Sequence, residues 1–407
     1  MIRGRRGGGP AAAERLRQVE SLFPPELRRR LIDLRRDLHR HPELSFQEER
    51  TAARLYDELA RLKPVQLDRV AGTGVVATFR GRARGGPVVA LRGDIDALPI
   101  QEETGLEFAS EVPGVMHACG HDVHASWAVG AACLLIQRWP AGAVRIVLQP
   151  AEERGEGARA ILGSGALDGV GAIFGGHVDR RFAVGQVVAD AGPLAASADT
   201  FAIELIGRGA HGARPHEGID PIVGAAALVT ALQTIVARRV SPGSPAVVTV
   251  GTVHAGSAPN IIPERATLSG TLRATDPATR EVLQRAVREI AERVAGAHGL
   301  RAEVKVELGP PPIVNPPEPA GWARRAVAGL LGEEALVPLG FVNLGAEDFA
   351  HYLETIPGCF LRIGAREPGA EMIPAHSPRF YAAEESLFVG AAVLAETARV
   401  ASRALQR

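Results

Sequence analysis

The chain has 407 residues, which is long enough for a large core and two domains. Hydrophobic residues make up 46% of it and charged residues 23%, as in ordinary globular proteins. The 46 basic and 46 acidic residues balance, so charge does not favour nucleic acid or a membrane as the partner. No apolar run is long enough to cross a bilayer, and three cysteines are too few for a disulfide framework, so we expect a cytoplasmic protein.

The first 22 residues are basic and lack the apolar stretch of a secretory signal, so we expect a flexible N-terminal tail. Between residues 23 and 193, helical and strand-like segments alternate. Periodicity predicts helices in "ELRRRLIDLRRDLH", "EERTAARLYDELARL", "HASWAVGAACLLIQRW" and "GARAILGSGAL", the third with Asp122 as its N-cap. Strands are predicted in "GVVATFRG", "PVVALRGDI", "AVRIVLQP" and "GAIFGGHV". This alternation indicates an α/β sheet covered by helices on both faces.

The pattern changes between residues 194 and 309, where the predicted order is β-α-β-β-α-β. That order is typical of a ferredoxin-like α+β unit. The run "GPPPIVNPPEPAG" looks like a linker, and helices and strands alternate again over residues 310–407. The simplest topology is one α/β domain that is interrupted by an inserted α+β domain.

The stretch "MHACGHDVH" places three histidines, one cysteine and one aspartate within nine residues, although the chain has only 12 histidines and 3 cysteines. Cys119 and His121 stand two residues apart, between strand-like sequence and a helix start. Thiolate and neutral imidazole are common ligands of zinc and similar divalent ions. Taken alone, the stretch also fits one partly buried histidine beside surface histidines.

Three further segments carry the same kind of side chain. Glu152 and Glu153 follow a buried strand, His177 ends the next one, and His376 lies in the Pro-bounded loop "IPAHSPRF". Paired acids on a loop are often only solvated charge, but at a strand end one can bind metal and the other act as a general base. Together the segments supply ligands for two metal ions, which suits hydrolysis.

The segment "GRGAHG" matches the glycine pattern of dinucleotide-binding loops. A dinucleotide site requires a helix that opens at the glycines and an acidic residue about 20 residues later. Here a polar loop intervenes, the helix is predicted to start only near Asp220, and "GAAALVTAL" contains no acid. The pattern therefore does not favour a nicotinamide cofactor.

These segments resemble the dinuclear-metal amidohydrolases of the aminoacylase and carboxypeptidase superfamily. Within it, the sequence is most similar to the hippurate hydrolases and the N-acyl-amino-acid and auxin-conjugate amidohydrolases. The resemblance runs over nearly the whole chain, from "LHRHPELSFQEERTA" to "HSPRF", and includes "RGDIDALPI", "MHACGHDVH", "QPAEE", "GHV", "GRGAHGARPHEGIDPI", "APNIIPERATLSGTLR" and "GAEDFA". It implies a catalytic α/β domain and an inserted domain that serves as a lid or in dimerisation.

The resemblance also implies roles for individual residues. The metal ligands would be Cys119, His121, Glu153, His177 and His376. Cys119 stands where relatives outside this branch have a bridging aspartate. Those relatives have a histidine in place of Arg92, so Arg92 is not expected to bind metal. Asp94 would either support a ligand or form a hydrogen bond at a strand end.

Four more roles follow from the resemblance. Glu152 matches the general base, and His211 of the inserted domain matches a histidine that supports the oxyanion. Asn260 and Arg273 lie where the inserted domain helps to bind the substrate carboxylate.

The implied activity is hydrolysis of the amide bond of an N-acyl amino acid or a similar N-acyl amine. Two divalent ions are expected as cofactors, with zinc, manganese, nickel and cobalt as candidates. The expected assembly is a homodimer or a higher homo-oligomer. The alternative is a metal-stabilised small-molecule-binding protein without catalysis, which the presence of Glu152 and all five ligands disfavours.

Overall fold

The computed structural model describes residues 10–83 and 85–406. Within them the chain forms two compact units. The first takes in the chain up to Gly192, then Asn315–Gly340 and the part from His351 onward, and the second takes in Pro193–Val314 and Phe341–Ala350. Each unit has its own core of buried apolar side chains.

The helices are α1 (Pro10–Ser21), α2 (Pro25–Arg40), α3 (Glu49–Ala60), α4 (His121–Gln137), α5 (Gly157–Gly163), α6 (Pro221–Leu232), α7 (Thr234–Arg239), α8 (Pro277–Ala297), α9 (Pro317–Leu331), α10 (Ala350–Leu353) and α11 (Glu385–Ala404). The strands are β1 (Gln66–Val70), β2 (Gly74–Phe79), β3 (Val88–Asp94), β4 (Val144–Gln149), β5 (Val170–Ala183), β6 (Val187–Val188), β7 (Gly192–Ala195), β8 (Asp199–Ile206), β9 (Ala210–His211), β10 (Ala246–Ala255), β11 (Ile261–Ile262), β12 (Arg265–Ala274), β13 (Arg301–Glu307), β14 (Ile313–Asn315) and β15 (Gly358–Arg366).

The first unit is built on a seven-stranded sheet in the order β1-β2-β4-β3-β5-β15-β6. The central strands β4, β3, β5 and β15 are parallel, whereas β1, β2 and β6 pair antiparallel at the two edges. This mixed sheet confirms the predicted α/β class. Because parallel strands end at the same edge, the loops that follow β3 and β4 come together there.

Two helices of the first unit pack closely because glycines face the partner helix. A Cβ on Gly130 of α4 would lie 2.9 Å from Cβ of Ala391, and one on Gly390 of α11 would lie 2.1 Å from the Trp127 ring. Nearly every residue of α4 from His121 to Leu135 is buried. The helix that begins at the proposed metal ligands is therefore fixed by the core.

The predicted N-terminal tail is wrong for the residues that the structure describes. Residues 10–21 form α1, and the side chains of Val19 and Phe23 are buried. The Phe23 ring meets the Phe388 ring edge to face, with 5.1 Å between centroids. The rest of the predicted tail, residues 1–9, lies outside the described part of the chain.

The second unit contains a four-stranded antiparallel sheet in the order β10-β12-β8-β13. Its elements follow the chain as β8, α6, β10, β12, α8 and β13, which is the β-α-β-β-α-β order predicted from the sequence. Helix α6 begins at Pro221 because the Asp220 side chain accepts a hydrogen bond from Ile222 N at 2.8 Å. The helix predicted after Asp220 is divided into α6 and α7.

The Pro-rich run predicted as a linker forms regular structure instead. Residues Ile313–Asn315 are strand β14, and α9 begins at Pro317, where proline at the first helical position is tolerated. Among the described helices, none combines the length and the hydropathy that a membrane crossing requires.

Candidate metal centre

The proposed ligands come from four segments of the first unit. Cys119 immediately precedes Gly120, whose left-handed φ of 84° lets the chain turn into α4 at His121. Glu153 lies in the turn after β4. His177 lies inside β5 and not at its end, because that strand continues to Ala183. His376 lies between β15 and α11 and has a positive φ of 66°.

These side chains form two groups that share Cys119. Ligand atoms of Cys119, His121 and His177 lie within 4.8 Å of one another, and so do those of Cys119, Glu153 and His376. The Cys119 Sγ atom is 3.1 Å from His177 Nε2. The structure therefore brings together all five residues that the sequence suggests as ligands.

The imidazoles are held with one nitrogen facing the cluster. Nδ1 of His121 donates to the backbone oxygen of Asp96 at 2.9 Å, and Nδ1 of His177 donates to the backbone oxygen of Val178 at 2.6 Å. Because a carbonyl oxygen only accepts, Nε2 is left to coordinate in both rings. Among the described residues, His121 Nε2 and Glu153 Oε1 are buried without a hydrogen-bond partner.

Asp96 supports this arrangement, and the sequence analysis did not single it out. Its carboxylate oxygens lie 3.1 Å from His121 Nδ1, 2.7 Å from Ser45 Oγ and 3.1 Å from Glu153 N. One buried carboxylate thus orients the ring of one proposed ligand, His121, and the turn that carries a second, Glu153. Its signal in the sequence is the alternation in "RGDID", which places residues 92, 94 and 96 on one side of the chain.

Asp94 has a different set of partners. Its Oδ1 accepts from His124 Nδ1 at 2.6 Å, and its Oδ2 pairs with Arg92. The other ring nitrogen of His124 accepts from the backbone N–H of Val178 at 2.9 Å. Asp94 therefore orients His124 and forms an ion pair with Arg92.

The prediction that Asp122 caps α4 is wrong. The residue before the helix is Gly120, and Asp122 lies buried in the first turn. Its carboxylate accepts from Arg35 Nε at 2.7 Å and from His39 Nδ1 at 2.8 Å. Those two cations hold the pKa of Asp122 well below its usual range, although burial opposes this shift.

The turn that presents Glu152 and Glu153 is held by a second carboxylate that the sequence analysis did not identify. Ala151 has a left-handed φ of 50°, which is costly for a residue with a Cβ. Its N–H donates to Glu48 Oε1 at 2.9 Å, and Thr73 Oγ1 donates to Glu48 Oε2 at 2.5 Å. The side chain of Glu152 keeps 10% of its surface exposed, and its Oε2 is 4.0 Å from His121 Nε2.

The pKa values of two proposed ligands, Cys119 and His177, are shifted chiefly by burial. Burial, with the nearby carboxylate of Glu153, raises the pKa of the Cys119 thiol to about 12. A thiolate at this position therefore needs a compensating positive charge. Burial and the positive charges of its neighbours hold the pKa of His177 well below its ordinary value, which keeps the ring neutral and able to coordinate.

The donor set fits divalent metal ions. It consists of a sulfur, imidazole nitrogens and carboxylate oxygens, a combination that suits zinc and related transition metals. Each group of three leaves room for substrate or water at an ion, which is the pattern of a catalytic site and not of a closed structural site.

The remaining candidates belong to the second unit. His211 is the last residue of β9 and is exposed, and its Nδ1 accepts from Ala213 N at 3.1 Å. Asn260 is also exposed and is a neighbour of His211, because Asn260 O accepts from Gly212 N at 2.8 Å. Arg273 is half-buried on β12, where it pairs with Val247 of β10.

Residues 90–400 match the model of peptidase family M20/M25/M40. The N-acetylcysteine deacetylase of Bacillus subtilis (strain 168) is 42% identical over 379 residues, covering 91% of this chain and 96% of that protein. Thermostable carboxypeptidase 1 of Saccharolobus solfataricus is 37% identical over 369 residues, covering 89% and 92%. The crystal structure of the Bacillus subtilis YXEP protein, described as a dinuclear metal binding peptidase, has a TM-score of 0.82 at 40% identity, covering 92% and 98%.

The family model thus spans most of the chain, and the relatives align over nearly all of it. The ligand cluster lies within the matched residues, and its donors are those that a divalent ion requires. The chain belongs to peptidase family M20/M25/M40 and is a metal-dependent hydrolase.

Proposed function

We propose that this hydrolase cleaves the amide bond of N-acyl amino acids and uses Glu152 as its general base. The observation that carries the proposal is the pair of ligand groups that share Cys119, with Glu152 beside them. The substrate class is supported by the deacetylase from Bacillus subtilis, whose name specifies an N-acetyl amino acid.

The proposed ligands divide between two ions. Cys119, His121 and His177 would hold one, and Cys119, Glu153 and His376 the other. When bound, two such ions polarise the scissile carbonyl and make water a better nucleophile at neutral pH. The chain's own contribution is to fix the ligand orientations through Asp96 and the backbone of Val178.

Glu152 would move the proton of the reaction. Its carboxylate takes a proton from the attacking water as the new C–O bond forms at the carbonyl carbon. The same carboxyl group then donates that proton to the nitrogen as the C–N bond breaks. The products are a carboxylic acid and a free amine, and Glu152 returns to its starting state.

Three residues of the second unit have proposed roles of their own. We propose that His211 donates a hydrogen bond to the oxyanion and that Asn260 and Arg273 bind the substrate carboxylate. The exposure of His211 and its place beside Asn260 support a role in binding a ligand. We further propose that the chain forms a homodimer or higher homo-oligomer and works in the cytoplasm, where a reducing environment preserves a cysteine ligand.

The substrate class is tested with purified protein that has been stripped of metal and reloaded with zinc, manganese, nickel or cobalt. Each form is incubated with N-acetyl, N-benzoyl and indoleacetyl amino acids and with an unacylated dipeptide, and the released amine is quantified. We expect hydrolysis of at least one N-acyl amino acid in preference to the dipeptide. Preferential cleavage of the dipeptide would contradict the proposed substrate class.

A further inference from the structure

The loop that carries His376 has no regular structure of its own. No helix or strand occurs between Arg366, where β15 ends, and Glu385, where α11 begins. The His376 side chain is 54% exposed, while the other proposed ligands are nearly or fully buried. Fixing so long an irregular segment costs conformational entropy, so contacts from the rest of the unit help to hold His376 in place.

Arg180 supplies such contacts from strand β5, three residues after His177. Its side chain is 1% exposed. Nη2 donates to the backbone oxygen of Glu371 at 2.9 Å, and Nη1 donates to the backbone oxygen of Tyr381 at 3.0 Å. The guanidinium therefore contacts the loop on both sides of His376.

Further contacts fix the guanidinium itself. Nη1 also lies 3.4 Å from the backbone oxygen of Ala365 and 3.2 Å from Glu367 Oε2. The Cζ atom of Arg180 is 4.1 Å from the centroid of the Tyr381 ring, within the range of a cation–π interaction. A planar group with several donors in a fixed geometry holds separate carbonyls in defined directions, whereas the donors of a lysine share one rotatable nitrogen.

A second anchor lies at the ligand. The backbone N–H of His376 donates to the oxygen of Ala118 at 2.8 Å, directly before Cys119. This bond fixes the backbone of His376 beside one ligand, and Arg180 fixes the segments on either side of it. His376 Nε2 is thereby placed 3.6 Å from Glu153 Oε2.

We propose that Arg180 is a positioning residue that holds the His376 loop and so sets the affinity of the ion bound by Glu153 and His376. The proposal rests on the metal-binding role given to His376 above. Removing the guanidinium takes away the bonds that hold Glu371 and Tyr381, so the segments on either side of His376 become less ordered and must be ordered again when His376 binds metal. The ion held by His121 and His177 loses no such support.

The test measures binding of Co²⁺ to metal-free protein by calorimetry and by the absorption bands of bound cobalt. Five proteins are compared: wild type, Arg180→Met, Arg180→Lys, His376→Ala and Arg181→Met. The last removes the same charge from the neighbouring residue of β5, which pairs with Asp179 at 2.7 Å. Limited proteolysis measures how well residues 367–384 are ordered in each variant.

We expect wild type and Arg181→Met to bind two ions. His376→Ala should lose the ion that is bound by Glu153 and His376. Arg180→Met should keep the first ion at wild-type affinity and bind the second at least about tenfold more weakly, the usual effect of removing a group that supports a ligand. Arg180→Lys should recover part of that loss, and cleavage within residues 367–384 should be fastest in Arg180→Met.

A merely structural role would lower Tm and leave both affinities unchanged, and that result would overturn the proposal. If Arg180→Met does not fold, Arg180→Lys decides, because wild-type affinity for both ions in that variant contradicts the need for a fork of donors. Undiminished binding of two ions by His376→Ala would instead refute the ligand assignment itself, which separates failure of the proposed function from failure of the role of Arg180.

Discussion

The Sγ atom of Cys119 lies 3.1 Å from Nε2 of His177, although the two residues are 58 positions apart in the sequence. The loop before α4 and the interior of β5 bring them together. Because Nδ1 of His177 donates to Val178 O, Nε2 accepts from the Cys119 thiol. Once the thiol has lost its proton, both atoms can bind one cation. Cys119 also belongs to the group with Glu153 and His376, so it is suited to contact two ions.

This arrangement predicts that individual ligands control metal content. His177→Ala and His376→Ala should each bind fewer ions per chain than wild type, as measured by elemental analysis after dialysis against limiting metal. His298→Ala, at the exposed C-terminal end of α8, is the matched control and should keep the wild-type content. Wild-type content in His177→Ala would remove His177 from the ligand set.

Replacement of the proposed base should separate chemistry from binding. Glu152→Gln is expected to keep its metal and to lose a factor of about 10²–10⁴ in kcat, the usual contribution of one general base. The control is Glu156→Gln, which changes a carboxylate of the same turn that is 54% exposed and paired with Arg154. Near-wild-type turnover by Glu152→Gln at full metal content would assign the proton transfer to another group.

The buried His39 makes the stability of the first unit dependent on pH. Its Nδ1 bonds to Asp122 at 2.8 Å and its Nε2 to Glu102 at 3.2 Å. Burial alone would lower the pKa of His39, but the carboxylates of Asp122 and Glu102 together outweigh it, and the pKa is raised. Its charged form is therefore stabilised by folding.

That contribution to stability is fully present below the unfolded pKa of about 6.5 and is lost as the pH rises through the higher folded pKa. We expect the difference in Tm between wild type and His39→Gln to be largest below about pH 6.5 and to shrink as the medium becomes more alkaline. Calorimetry on metal-free protein across this range measures it, with His298→Gln as an exposed control. A difference that grows with pH would show that His39 is neutral in the folded protein.

The role proposed for His211 predicts a loss in kcat with intact metal content. His211→Ala should lower kcat by about 10²-fold or more, the scale of losing one donor to an oxyanion. His216→Ala removes a histidine that is 78% exposed in the same region and should have little effect. Full activity in His211→Ala would refute the role.

If His211 acts across a dimer, a mixture of His211→Ala and Glu152→Gln subunits should recover part of the activity, because each hybrid contains one complete site. Subunit exchange is verified with differently tagged chains. No recovery after verified exchange would restrict His211 to its own subunit.

The sequence predicted most of the elements and the side chains that the structure brings together, because these depend on local periodicity and on motif residues. It missed the contacts that depend on how distant segments pack. Asp96 follows β3, and it contacts His121 and Glu153 because the sheet places the end of β3 beside the turn after β4. Asp122 was predicted to be a helix cap from its position in the sequence alone. Its actual partners, Arg35 and His39, lie in α2 and could not be identified from the neighbouring residues.

The N-terminal prediction failed for a related reason. The segment that forms α1 has only two large apolar residues, Leu16 and Val19, and they pack on a surface supplied by residues far along the chain. Val19 becomes part of the core of the first unit, and Phe23 meets Phe388 of α11. A basic composition alone therefore did not distinguish a free tail from a packed helix.

The proposed reaction requires two ions at the Cys119 cluster, which act with Glu152 in the hydrolysis of an N-acyl amino acid. The most direct measurement titrates metal-free protein with Mn²⁺, Zn²⁺ or Co²⁺ and follows the release of amine from the preferred N-acyl amino acid at each step. We expect no turnover before metal is added, a rise that saturates at two ions per chain, and loss of activity on renewed chelation. Undiminished hydrolysis by protein from which metal has been removed and shown to be absent would contradict this requirement.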